Sequence, residues 1–180
     1  MWFAVPIYCD VSAGISSGYD DAEGRSLDVY HPDWPIDYAE TARVTLEIAA
    51  KDVDRTVGTM WFVSYFSAAQ REKFSVYSGG RSIDPHGTPT RGEFIQTLLE
   101  AIGMKPDAGR PTYDDVPVDH PYAAAIAKAT QLGIISGDDG TNRFRPDEPM
   151  NRAESAKIRM TTMELPQLQE LYLRRAFIKR

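Results

Sequence analysis

The chain has 180 residues, with 20 Lys and Arg against 26 Asp and Glu and a formal net charge of -6. Its 42% hydrophobic content is enough for a packed core, and its acidic balance excludes a generic binder of nucleic acid or anionic lipid, both of which reward a positive surface field. The single Cys9 cannot form an internal disulfide or a cysteine zinc site, the histidines His31, His86 and His120 lack metal-ligand spacing, and no apolar run is long enough to span a membrane.

Met1 to Cys9 is largely apolar, but it lacks the basic start and small-residue cleavage site of a signal peptide. Pro6-Ile7-Tyr8 likewise does not suit a lipoprotein cysteine. The first helix is predicted over about 2–13, opening at Trp2-Phe3-Ala4. The turn-forming run Gly14-Ile15-Ser16-Ser17-Gly18-Tyr19-Asp20-Asp21 and the loop Tyr30-His31-Pro32-Asp33-Trp34-Pro35 follow, and a second helix is predicted over about 36–51. The middle of the chain repeats this layout. A helix over about 59–73 contains Trp61-Phe62-Val63, a turn falls at Ser78-Gly79-Gly80, and Asp84-Pro85-His86-Gly87-Thr88-Pro89 leads into a helix over about 89–103.

Residues 104–118 hold three Pro and one Gly and read as a linker. The last copy is the clearest. It runs Tyr113-Asp114-Asp115-Val116-Pro117, then His120-Pro121-Tyr122, then an Ala-rich helix over about 119–132 with Ile126, Ala129 and Leu132 at helical spacing. Gly133 is a natural C-cap. Leu132-Gly133-Ile134-Ile135-Ser136-Gly137 opens a turn-rich loop that ends at Phe144-Arg145-Pro146-Asp147-Glu148-Pro149, and a helix follows over about 150–164. Residues 165–180 read as a further helix with Leu168, Leu171, Tyr172 and Phe177 on one side. Its terminal Arg174, Arg175, Lys179 and Arg180 complement a helix C-terminus.

Every second helix carries the same start signal. Asp37, Thr90 and Asn151 are good N-caps, and Glu40, Glu93 and Glu154 stand three residues later, which is capping-box spacing. The apolar positions Val44 and Ile48, then Phe94, Leu98 and Ile102, then Ala156, Met160 and Met163 recur every three to four residues and should face a core. These patterns predict an all-α fold of three helix-loop-helix repeats in a pseudo-threefold bundle, plus a C-terminal helix. The expected units are 1–51, 52–103 and 104–164 with a tail at 165–180, because one helix pair of this size cannot bury its apolar face alone.

The third unit resembles an S-layer homology module. The resemblance rests on Tyr113 to Pro117, His120-Pro121-Tyr122, Leu132 to Gly137, Phe144-Arg145-Pro146 and Met150-Asn151-Arg152-Ala153-Glu154. The first two units are similar to it at lower fidelity. The resemblance implies three tandem modules and an extracellular location at the cell wall or surface. The implied role is non-covalent anchoring to an anionic, often pyruvate-bearing, secondary cell-wall polysaccharide, with other surface-layer proteins as further candidate partners. The implied ligand-binding residues lie in grooves between modules: Arg91 and Arg152 at the helix starts, Gly79, Ser136 and Gly137 at the turns, and Trp61 and Tyr122 for stacking. Tyr38 stands where the motif has Arg, and Gly92 where it has Ala, so at most two Arg-bearing sites are expected. The first unit begins at Trp2 without the Asp-Val-Pro lead, which suggests a piece of a longer, exported protein.

The residues carry a physical argument of their own. An Arg in the first turn of a helix faces the positive end of the macrodipole, so its presence makes sense if an anion docks there, the guanidinium fork and free N–H groups both contributing. The alternative is that each Arg pairs with a nearby acid such as Asp84 or Asp147. Capping explains Glu40, Glu93 and Glu154 without catalysis, and Gly18, Gly79 and Gly137 supply turn geometry. Asp138-Asp139-Gly140-Thr141-Asn142 lacks the ligand spacing of a calcium loop and reads as a turn, as does Asp20-Asp21. No nucleophile elbow, zinc-protease motif or P-loop is present, so neither an enzyme nor a cofactor is expected.

Overall fold

A computed structural model describes residues 1–12, 18, 29–58, 60–106 and 109–170. Among these the chain is all-α, with α1 Ala4–Ser12, α2 Tyr38–Ile48, α3 Trp61–Arg71, the short α4 Ser75–Ser78, α5 Arg91–Ala101, α6 Ala123–Gln131 and α7 Arg152–Met163. A further helical stretch spans 166–170. The predicted turn at 14–21, apart from Gly18, and the tail beyond 170 with its basic residues lie outside the described residues. Among the described residues no helix is long and apolar enough to cross a membrane.

Helices predicted as the first of each pair pack on helices predicted as the second: α1 on α7, α3 on α2 and α6 on α5, while α2 also meets α5. One core gathers Ile36, Phe94, Ile95, Leu98, Leu99, Ile126, Phe144, Met150 and Ile158, and a second gathers Tyr38, Leu46, Tyr65, Phe74 and Tyr77. Residues 104–118 are more than a linker, because Tyr113 and Val116 are buried in the first core. Asp115 fixes that segment. Its carboxylate accepts from the backbone N–H groups of Phe144 and Arg145, each at 2.8 Å. Burial pushes this carboxyl up, but those two donors outweigh it and hold the group below its ordinary range.

Each of α2, α5 and α7 starts with a complete capping box, built on Asp37 and Glu40, Thr90 and Glu93, and Asn151 and Glu154. The two N–H groups between each cap and its glutamate are taken by loop carbonyls from elsewhere in the chain. Tyr38 and Ala39 donate to Gly87 and Pro85, Arg91 and Gly92 to Glu148 and Pro146, and Arg152 and Ala153 to Trp34 and Pro32, all at 2.9–3.0 Å. The donors orphaned at these three helix starts are thereby satisfied. Pairings at Pro35–Asn151 and Thr90–Pro149, with Ile36 N–H donating to Met150 and Met150 N–H to Pro89, tie the three starts together at a hub.

Two local expectations are revised. The left-handed residue after α4 is Gly80, at φ 77°, while Gly79 has φ -74° and closes the short helix. Gly92, read from sequence as a mild weakness, is where Tyr122 packs: a Cβ there would lie 2.6 Å from Tyr122 Cδ2.

Candidate functional site

Arg91 and Arg152 sit at the first positions of α5 and α7, as the motif spacing requires, yet both are only 5% exposed. The Arg91 Nε donates to the Phe144 carbonyl at 2.8 Å and Nη1 pairs with Glu154 at 2.7 Å, with the guanidinium 4.7 Å above the Phe144 ring. Arg152 repeats this on Tyr30 and Glu40. Its Nε donates to the Tyr30 carbonyl at 2.9 Å, Nη1 pairs with Glu40 at 2.6 Å, and the ring lies 4.4 Å away. Each arginine therefore meets the capping glutamate of another helix start, neither Asp84 nor Asp147. The N–H groups expected to greet an anion beside them are already bonded to loop carbonyls. Sequence reading missed these partners because they lie far along the chain.

Tyr38 occupies the third equivalent place. Its hydroxyl donates to Glu93 at 2.7 Å, and Arg81 supplies the missing cation by donating to the Tyr38 hydroxyl at 2.7 Å and to Glu93 at 2.8 Å. Burial first, then Glu93, pushes the Tyr38 hydroxyl up to about 12. Burial and the same glutamate also raise Tyr122. The contacts 38 to 93, 91 to 154 and 152 to 40 form a closed cycle.

A cleft of about 400 Å³ opens beside the 91-to-154 contact. One wall is the loop Ser136-Gly137-Asp138, another is α7 with Glu154 and Lys157, and Arg91 and Trp2 complete it. Of the residues predicted to bind ligand, Arg91, Ser136 and Gly137 come together here, whereas Arg152, Gly79, Trp61 and Tyr122 are not among its lining residues. Gly137 is there for space: a Cβ would stand 2.9 Å from the Tyr113 ring and 3.0 Å from the Arg143 carbonyl.

Electrostatically the cleft divides into an internally neutralised wall and an open cation. Arg145, in a left-handed conformation at φ 61°, pairs with Asp138, Glu148 and Glu154 at 2.6–3.0 Å. The hydrogen bonds donated by Arg145 hold the Asp138 carboxyl below its ordinary range, and donation to Asp138, Glu148 and Glu154 raises the guanidinium. Lys157 is different. It is exposed and has no ion pair among the described residues, and its ammonium lies 5.6 Å above the ring of Trp2, which is itself 58% exposed. A cation beside an open indole face suits a ligand with one apolar face and one negative group. The sequence signal that could have found Lys157 is its place six residues after the N-cap, on the outer face of α7.

Residues 112–156 match the S-layer homology domain family. The chain is also similar to "Exoglucanase XynX" of Acetivibrio thermocellus, 37% identical over 82 residues that make up 46% of this chain and 7% of that protein. A second relative is "Amylopullulanase" of Thermoanaerobacterium thermosulfurigenes, 35% identical over 82 residues, 46% of this chain and 4% of that protein. The chain thus spans under a tenth of the length of these curated relatives. Ser136, Gly137, Asp138, Arg145 and Glu154 of the cleft fall inside the matched stretch, while Trp2, Arg91 and Lys157 come from outside it. The chain carries one S-layer homology domain, at residues 112–156, of a class of non-catalytic module that generally anchors proteins to the cell wall by binding its polysaccharide.

Proposed function

We propose that the chain is a wall-anchoring module of three related units, 1–51, 52–103 and 104–164, that binds an anionic cell-wall polysaccharide, a pyruvate ketal being the charged group. The observation that carries this reading is the exposed Trp2 face beside Lys157, which has no acid partner among the described residues, at the edge of the S-layer homology domain. A sugar ring stacks its C–H face on the indole while its carboxylate meets the ammonium. Ser136 and the backbone at Gly137 face the same space. Arg91 and Glu154 shape the cleft wall rather than contact the anion. The two relatives are named as an exoglucanase and an amylopullulanase. By analogy this module holds a larger exported protein at the cell surface.

The test is a pull-down on native cell-wall sacculi and on sacculi stripped of their secondary polymer. Native sacculi are expected to retain the protein and stripped sacculi to release it. Lys157→Ala should lower affinity about 10- to 100-fold, as for loss of a charge-assisted contact of about 1.5–3 kcal/mol. Equal retention by both wall preparations overturns the reading. The internal use of Arg91 and Arg152 favours a second reading, a structural interaction module for surface-layer proteins that has lost glycan binding. Retention by a surface-layer protein alone selects it.

A further inference from the structure

The helix α1 is apolar on two sides. On one, Pro6 is buried and Phe3 and Ile7 are half-buried where α1 packs on α7. The other side carries Val5, Tyr8 and Val11, which are 65%, 73% and 44% exposed. Tyr8 stands three residues from each valine, so the three form one stripe. Met1 extends the stripe at its N-terminal end, and the exposed Cys9 borders it, four residues from Val5. Residues 1–9 hold no charged side chain. A helix that is apolar all round belongs in an interior, yet α1 is covered by this chain on one side only.

The two helices that correspond to α1 show how this fold finishes a solvated outer face. Past Trp61, the exposed side chains of α3 are Gln70 and Arg71, and the exposed side chain of α6 is Gln131. Of the three, α1 exposes large apolar side chains along its length. From these exposures the stripe and the small residues between leave roughly 600–700 Å² open, above the ~300–600 Å² of the largest patch on a typical monomer and close to the ~800 Å² that each partner gives a standard interface.

The chemistry of the face selects its occupant. A charged segment would lose hydration against it and find no opposite charge. A lipid surface is reached by helices with a basic flank, whereas this stretch offers none and the chain carries a net charge of -6. A second α1 face is neutral and apolar and has the same length, and a two-fold axis makes such a stripe complementary to itself. Tyr8 at its centre has an apolar ring and a polar tip, the kind of side chain that dominates interface cores.

We propose that the outer face of α1 is a homodimer interface, in which two copies pair their Val5, Tyr8 and Val11 stripes about a two-fold axis near Tyr8. Each Cys9 then lies near its counterpart. The proposal is independent of the anchoring reading above.

The experiment is sedimentation equilibrium of the whole chain with its thiol kept reduced. The mass should rise with concentration from 20.1 kDa towards twice that value, with half-dissociation at micromolar concentration, as for an interface of this size. Tyr8→Glu sets a charge in mid-stripe at an exposed position. It should weaken association at least 100-fold and leave the melting of dilute protein unchanged. Gln131→Glu puts the same charge on the corresponding face of α6 and should associate as wild type. A short bismaleimide should join two wild-type copies through Cys9 but not two Tyr8→Glu copies, although a single maleimide labels both equally. A wild-type chain that stays monomeric up to about 1 mM overturns the proposal. A dimer that survives Tyr8→Glu also overturns it, since the contact then lies elsewhere. Monomers that instead co-sediment with neutral phosphatidylcholine vesicles overturn it in favour of a lipid surface.

Discussion

Gly92 and Tyr122 form a matched pair whose logic is steric. With a Cβ at position 92, Tyr122 would be met at 2.6 Å and the Pro146 carbonyl at 3.2 Å. Gly92→Ala should therefore destabilise the protein by about 1–3 kcal/mol in urea unfolding, although alanine is the better helix former. Combining it with Tyr122→Ala should cost less than the sum of the two changes. Tyr38 makes a chemical case at the same scale. Its hydroxyl, raised to about 12, is favoured protonated in the folded state relative to an ordinary tyrosine near 10. The stability it contributes is complete below about pH 10 and is lost as pH rises towards 12. Tyr38→Phe should lower stability at neutral pH by about 1.5–3 kcal/mol, the worth of a hydrogen bond to a charged group. It should also flatten the alkaline limb of the pH–stability curve. Asp115 has the opposite sign. Its depressed carboxyl contributes stability present above about pH 4 and lost as pH falls further. Asp115→Ala should remove that acid limb and, by orphaning two backbone donors, cost about 2–3 kcal/mol in denaturant titrations.

At the scale of elements, four helices end in one motif, with paired backbone bonds from the last turn and a left-handed residue after it. The bonds are Lys51 and Ala50 to Leu46 and Glu47, Phe74 and Lys73 to Ala69 and Gln70, Met104 and Gly103 to Leu99 and Glu100, and Ile134 and Gly133 to Ala129 and Thr130. The left-handed residue is glycine at 103 and 133 but Ala50 and Lys73 in the other two. Lys73 is exposed, so Lys73→Gly loses no packing and relieves left-handed strain. It should stabilise by about 0.5–1 kcal/mol and raise Tm by a few degrees in calorimetry. Helix starts and stops of this kind were readable in the sequence because the evidence is local. Asp37 and Glu40 are three residues apart, and Gly133 directly follows the helix it ends. The arginine partners were not readable, since nothing near Arg91 points to Glu154 or Phe144, and the argument from free N–H groups failed once loop carbonyls were found on them. Lys157 was passed over for the same reason. A cation on the outer face of a helix looks like solvated surface until another helix lays an indole beside it.

At the scale of the whole molecule, the cations that hold the fold together differ from the one proposed above to meet the wall polysaccharide. Removing Arg91 leaves Glu154 with Arg145 but takes away a buried ion pair and the donor to the Phe144 carbonyl. Arg91→Ala should cost about 3–5 kcal/mol, measured by thermal or urea unfolding. Any loss of wall binding it causes should accompany loss of fold, whereas Lys157→Ala should bind poorly and melt as wild type.

The closed cycle of helix-start contacts has a consequence for how such a module can vary. In an open array of repeats, each unit touches only its neighbours, and units can be gained or lost at an end. Here Tyr38 leans on Glu93, Arg91 on Glu154 and Arg152 on Glu40. Deleting residues 52–103 would break two of the three contacts at once. On the three-unit reading proposed above, the number of units is therefore fixed by geometry. On that proposed reading, the strength of attachment is tuned within units, by exchanging single side chains such as Lys157, so divergence among the three proposed units is itself the adjustable quantity.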